Sequence, residues 1–324
     1  MNTEAPAISD VQPVRPFRAE HFDWFSFLGK GVTGLATLLI IAILAIILGN
    51  VIIEGIPHVS WRLISTGTAT DMFDVNKAGI LPMIFGTASR VIIMTILVLP
   101  AGVLTAIYLT EYARAHSPFT RIIRSAVNNL AGVPSIVFGL FGAGFFVQFI
   151  GHGMDAALHG SQAVTIWGKP GLLWASATLA VMTLPVVIVA TEEALRAIPQ
   201  GLREASLALG ATKLETILKI VLPQAMPGIM TGVILAISRA AGEVAPILFT
   251  GAAYYMADLP KTLHDQFMDL GYHVFILSTQ SPDVDKTRPL LYATVFVLLV
   301  LTFTLNIVAI FVRAHMRKKM RMLQ

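Results

Sequence analysis

The sequence predicts an all-α membrane protein with six spanning helices, and two observations carry that expectation. Hydrophobic residues fill 55% of 324 positions and charged residues only 13%, with a mean hydropathy of +0.74, outside the range of ordinary soluble domains. The apolar residues also fall in blocks long enough to cross hydrocarbon, separated by polar connections. There is room for several spans and short loops, and little for an added soluble domain. With no cysteine, neither a disulfide scaffold nor a thiol nucleophile is available.

In chain order, residues 1–30 are polar at first, with Pro6, Pro13 and Pro16, and turn aromatic from Phe22 to Phe27. This suits a short cytoplasmic tail ending at the membrane interface. Gly31 to Ile53 carries no charge and is the first span; its length, late start and lack of a small-residue cleavage site argue against a signal peptide. A polar connection with Pro57, Gly67, Asp71 and Asp74 closes an N-terminal region, 1–79. The second span, about 80–110, is interrupted by Arg90. An arginine in hydrocarbon is costly, so Arg90 either snorkels, packs between helices or faces a substrate path. Pro100 is placed to kink the same helix.

Residues 111–124, with Arg114, Arg121 and Arg124, read as a short basic loop. The third span, about 127–150, opens on NNLAGVPSIVFGLFGAG, whose small residues permit close helix approach and whose proline permits a bend. Helix packing and substrate contact both fit. The connection 152–170 holds His152, Asp155 and His159, at spacings that make no metal site. The fourth span, 171–191, has Pro185 as a bending point. A fifth runs from Pro227 or Gly228 to about Phe249 and a sixth from about Leu290 to Val312. Between them lies a polar segment holding Asp258, Lys261, Asp265, Asp269, Asp283, Asp285 and Lys286. The core is thus 80–312, followed by a basic tail, 313–324.

The segment 192–228 is the longest charge-bearing stretch between two strongly apolar ones. Leu202 to Leu209 is rich in helix formers and Gly210 supplies a stop. Thr212 precedes Glu215 by three residues, the spacing of a reciprocal helix-start cap. Behind it, Leu214, Ile217, Leu218 and Val221 share one helical face, and Pro223 is expected to end the helix near Leu222. The result is a helical hairpin with an apolar face, suited either to a protein partner or to a lipid surface.

Lysines and arginines fix the expected orientation. Fifteen fall in the tails and in the connections 111–125 and 192–228, six fall in the opposite connections, and Arg90 and Arg239 lie within spans. Both termini and the hairpin are therefore expected in the cytoplasm. The final RAHMRKKMRMLQ then serves as an inner-face anchor to lipid, and no nucleic-acid partner is implied.

The stretch ISRAAGEVAPILFTG, 237–251, places Arg239 and Glu243 four residues apart, on one face of a helix. A pair beside a polar cavity can bind a charged solute, and the planar donors of arginine suit a tetrahedral oxyanion. A structural ion pair between helices fits equally well. Gly242 and Pro246 would thin and bend the helix around the pair.

Two of these stretches carry a family resemblance. Glu204, Ala205 and Ser206, then Gly210, Ile220, Leu222 and Pro223, resemble the coupling loop of bacterial ABC importer permeases, with the MetI-like fold. That loop has the pattern Glu-Ala-Ala, Gly, Ile, Leu-Pro at these spacings; Ser206 alone departs from it. SRAAGEVAPILFTG resembles the PstA type of the family's phosphate-importing branch, although Val244 stands where that type often has threonine, and LAGVPSIVFGLFG resembles a segment shared by both permeases of that branch. The resemblance covers about 80–312. It implies a six-helix inner-membrane subunit that pairs with a homologous PstC-like permease, two copies of an ATP-binding subunit and a periplasmic phosphate-binding protein. It also implies that Glu204, Ala205, Ser206, Gly210, Ile220, Leu222 and Pro223 dock on the ATPase. Arg239, Glu243 and Arg90 would then lie on the path of inorganic phosphate, or of another oxyanion such as sulfate or molybdate.

Other classes fit less well. A secondary transporter should carry internal repeats or acidic residues in several spans, and Glu243 is the carboxylate clearly within one. An enzyme needs a constellation of paired acids, a metal cluster or a nucleophile elbow, and none is visible. With no GxxxxGK loop, ATP hydrolysis is assigned to a partner. No cofactor is implied.

Overall fold

The computed structural model describes residues 24–68, 72–74, 77–114, 117–160 and 165–321. The expected polar tail through residue 23, Asp71, and the last three residues of the basic tail lie outside them. The chain divides into two compact units, Met1–Asn50 and Val51–Gln324. Among the described residues the first unit is a single helix, α1 (Trp24–Gly55), whose last turn belongs to the second unit. Its 32 residues reach about 48 Å at helical rise, so it crosses hydrocarbon with turns to spare.

The second unit is a helical bundle. Its spans are α3 (Leu81–Ile107), α7 (Leu172–Arg196), α10 (Leu222–Gly242) and α13 (Val284–Arg321), with a broken helix from Ser135 to His159 that comprises α5 (Ser135–Phe141), a π-helical stretch (Gly142–Gly151) and α6 (His152–His159). With α1, six helices are long and apolar enough to cross a membrane. Shorter elements are α2 (Trp61–Ser65), α4 (Pro118–Ala131), α8 (Gln200–Ala208), α9 (Lys213–Thr216), α11 (Ile247–Thr250) and α12 (Leu270–Thr279). Among the described residues the only extended pairing is an isolated bridge between Ala252 and Phe267.

The helix α7 is the hub, packed on α3 along one side and on α10 along the other. Ala175, Leu179, Met182 and Val187 fill the space between them, with Val91, Met94 and Val98 from α3 and Val233, Ala236 and Ala240 from α10. A second cluster joins Met83 on α3, Ile276 and Leu277 on α12, and Leu290 and Ala293 on α13. A third joins Ala106, Ile188, Leu195, Val221 and Ile229. Close approach demands a glycine at position 86, where a Cβ would run into the Met268 carbonyl.

Several boundaries differ from expectation, each for a physical reason. The second half of the expected basic loop 111–124 belongs to α4, opened by Pro118 at its first turn. It takes up Val127–Ala131, which had been assigned to the third span. The break falls at Gly132–Pro134, because proline restricts the preceding residue to extended backbone, and the span runs instead from Ser135 to Leu158. Pro223 does not end a helix. The π-helical turn Ile217–Val221, in which the Leu222 N–H donates to the Ile217 carbonyl, widens the backbone just before the ring and relieves its clash with the preceding turn. The fifth span therefore starts at Lys213 and stops at Gly242. The segment between fifth and sixth spans, expected to be polar throughout, contains the apolar helix α12, with Leu270, His273, Ile276 and Leu277 buried.

Candidate functional site

The site is built on the place where α10 stops. Glu243 leaves the helix with extended backbone, φ −78° and ψ 130°, so Gly242 and Pro246 break the helix instead of bending it. Ending a helix inside a bundle strands its last carbonyls without partners. Arg90, reaching across from α3, donates to two of the terminal carbonyls: Nη1 to that of Ala240 at 2.7 Å, which also accepts the Glu243 N–H at 3.2 Å, and Nη2 to that of Ala241 at 3.0 Å. A guanidinium there also complements the negative end of the helix dipole.

The third nitrogen of that guanidinium is used as well. Nε donates to Asp269 Oδ2 at 2.6 Å, and both side chains are fully buried. Asp269 caps α12, accepting from the Tyr272 N–H through Oδ1. Thr87 donates its hydroxyl to Asp269 Oδ2 and accepts from the Leu270 N–H. One buried network thus holds α3, the end of α10 and the start of α12, with each charge compensated as burial requires. Arg90 does not snorkel; it is fully buried and each of its three side-chain nitrogens donates to a protein group. Val244 lies against the start of α12, where a Cβ at Gly271 would come within 2.9 Å of it.

Arg239, in the last turn of α10, faces outward. Its Nε lies 3.5 Å from Glu243 Oε1, with 41% of the Arg239 side chain exposed and 22% of that of Glu243. Such a pair is loose and its donors remain available, unlike those of Arg90. The expected proximity holds, but the two groups do not form a buried bridge between helices.

The hairpin follows α7. Helix α8 ends near Leu209, Gly210 turns the chain with φ +86°, and Thr212 with Glu215 forms the reciprocal cap that opens α9. The φ explains the glycine, since a side chain in the left-handed region costs about 1–2 kcal/mol. Ser206 hydrogen-bonds the Thr216 hydroxyl at 2.9 Å and so ties α8 to α9. Glu204, Ala205 and Gly210 are exposed, whereas Ile220, Leu222 and Pro223 are part-buried at the base. The predicted apolar face divides: Ile217 and Val221 are buried, while Leu214 and Leu218 are about half exposed and Leu209 is almost fully so.

Sequence reasoning missed three residues that organise these sites. Asp269 had a legible signal, an acidic residue directly before ten apolar or weakly polar positions, as a helix cap requires. Arg203 and Glu111 had none, because 92 residues separate them and only the fold brings them together.

A family model for the binding-protein-dependent transport system inner membrane component matches residues 98–322. Among relatives, a "Probable ABC transporter permease protein YqgI" of Bacillus subtilis is 34% identical over 69% of this chain and 69% of its own. A "Phosphate transport system permease protein PstA 1" of Mycobacterium tuberculosis is 32% identical over 75% of this chain and 72% of its own. A homologue from Xylella fastidiosa, named as a PstA permease, is 31% identical over 78% and 81%. A solved bacterial ABC transporter involved in alginate import has a chain that superposes with a TM-score of 0.59, covering 88% of this chain and 97% of that one at 14% identity, a likeness of fold. The helical bundle, its six spans and the match over residues 98–322 make this chain a member of the binding-protein-dependent transport system inner membrane component family.

Proposed function

We propose that the chain is the membrane-spanning permease subunit of an ATP-driven importer of inorganic phosphate. The observation that carries the substrate is its similarity, over two thirds or more of its length, to relatives named as phosphate transport system permeases. The available donors of Arg239 at the broken end of α10 suit a tetrahedral oxyanion, and Glu243 can hold them when no anion is present. Arg90 serves the path indirectly, by fixing the helix end that carries Arg239.

The subunit works with a homologous PstC-like permease, two copies of an ATP-binding subunit and a periplasmic phosphate-binding protein, in the bacterial inner membrane. ATP hydrolysis takes place on the partner. Exposed Leu209, Leu214 and Leu218, beside Glu204, Ala205 and Gly210, present a surface for that ATPase, and Ser206, Ile220, Leu222 and Pro223 hold its shape. Closure of the paired ATPases drives the hairpin, and the bundle carries the movement to the anion path. Reconstituted vesicles holding the complete complex are expected to take up phosphate in preference to sulfate and molybdate. Uptake of either competitor at a rate above that of phosphate would reassign the substrate.

Orientation follows from the excess of basic residues on the side holding the hairpin and both termini. In this cysteine-free chain, Asp283→Cys is expected to react with an impermeant external thiol reagent and Gln200→Cys to stay unlabelled in intact cells; Gln200 is exposed in the fold and the Asp283 side chain is 45% exposed. The reverse pattern would invert the topology.

A further inference from the structure

Helix α3 takes part in two arginine-centred knots, one near each end. In the first, described above, it supplies Arg90 to the end of α10. In the second it supplies the carboxylate. A π-helical turn, Tyr108–Tyr112, continues α3, and the Glu111 side chain on it is 10% exposed. Arg203, from α8 of the hairpin, donates to Glu111 Oε1 through Nε at 3.2 Å and Nη2 at 2.9 Å. The same guanidinium donates to the carbonyls of Ile198 and Leu195 at the end of α7, at 2.7 and 2.8 Å. The other arm of the hairpin grips the same turn: Lys213 Nζ donates to the Glu111 carbonyl and lies over the Tyr112 ring.

Both arms of the hairpin are therefore clamped to a helix that is not their neighbour in sequence. From Glu111 to Arg90 is 21 residues, about 30 Å along a helix. Over that distance α3 is packed continuously on α7. A buried, multiply bonded charge pair transmits displacement well, because breaking it exposes a charge without a partner.

Resting on the permease reading above, we propose that α3 is a transmission rod. Glu111, Arg203 and Lys213 form its input joint at the hairpin, and Arg90 is its output at the end of α10, one residue from Arg239. Glu111 and Arg203 are positioning residues; neither touches the anion. A hairpin tied only to α7 and α10 would have to move the site through the helices that flank it. The joint instead moves α3, and with it the carbonyls and the α12 cap that Arg90 holds.

The test uses the complete complex in vesicles, with Glu111→Gln, Arg203→Gln and the unmodified chain. Phosphate uptake and binding-protein-stimulated ATP hydrolysis are measured in the same preparation. Expected are assembled complexes whose ATP hydrolysis stays within about twofold of unmodified while uptake falls at least about fivefold, a shift of roughly 1 kcal/mol in coupling. An unchanged ratio of uptake to hydrolysis overturns the proposal, even when both rates fall together. A second readout does not depend on the substrate: spin labels on Leu104→Cys and Gly201→Cys, both exposed positions, report the distance between α3 and the hairpin. That distance is expected to keep its centre when the ATPases are trapped with ATP, and to shift in the Glu111→Gln background. A shift in the otherwise unmodified chain would show the hairpin sliding past α3 and would end the rod model, whatever anion the complex carries.

Discussion

Arg90→Ala is expected to destabilise the folded chain by about 3–5 kcal/mol, the penalty for leaving a buried partner charge uncompensated. Asp269 would lose its countercharge in a place with no access to water, the Ala241 carbonyl at the end of α10 would lose its donor, and that of Ala240 would keep only the Glu243 N–H. The measurable results are a collapse in the melting temperature of the detergent-purified permease and loss of co-purifying partner subunits. Asp269→Asn keeps one acceptor of two, so it can cap α12 at the Tyr272 N–H or accept from Arg90 but not both, and it leaves that arginine without a countercharge. The informative variant is the pair Arg90→Met with Asp269→Leu. It removes both charges, and if the knot were only an ion pair, stability would return. Because the Ala241 carbonyl is left bare, at about 1–3 kcal/mol for full burial, and that of Ala240 keeps only the Glu243 N–H, recovery is expected to be partial. Full recovery of the melting temperature in the double variant would show that the helix end needs no donor from α3.

Arg239 gives the opposite signature, a large loss of transport with little change in stability. An exposed pair at 3.5 Å is worth at most about 1 kcal/mol, so Arg239→Ala should assemble with its partners, hydrolyse ATP and engage the binding protein. Uptake should nevertheless fall roughly a hundredfold, the loss of about 3 kcal/mol of charge-assisted hydrogen bonding to an anion. Arg239→Lys keeps the charge without the planar donors and should fall in between. The Arg239→Ala, Glu243→Ala double variant should transport no better than the single one. Full uptake by that double variant, measured beside normal assembly, would remove Arg239 from the anion path.

These two arginines mark what the sequence could and could not say. Both were visible as charges inside apolar runs, and both were offered the same alternatives of packing or path. Only three-dimensional surroundings separate them: Arg90 meets Asp269 and two carbonyls from segments 150 or more residues away, whereas Arg239 meets Glu243 one turn on. Local chemistry was read well wherever the cause is local, as in the turn at Gly210 and the Thr212–Glu215 cap. The same holds for the apolar spans. Boundaries failed where proline was taken as a terminator without regard to neighbouring turns, as at Pro223, or where an amphipathic helix was disguised by its arginines, as in α4. Asp269 was grouped with surface acids because it lies among them in sequence. Nothing in its local pattern announces that an arginine waits opposite.

Ser206, the one departure from the loop pattern, joins the two arms of the hairpin through a single hydroxyl pair. Its hydroxyl meets that of Thr216, whose side chain is almost completely buried. A chain with alanine at 206 would leave the threonine hydroxyl without that partner in a closed space, a cost of about 1–3 kcal/mol. An aliphatic residue at 216 would in turn cost the part-buried serine that partner. The two hydroxyls are therefore expected to couple energetically across the turn, so that removing both costs less than the sum of removing each alone.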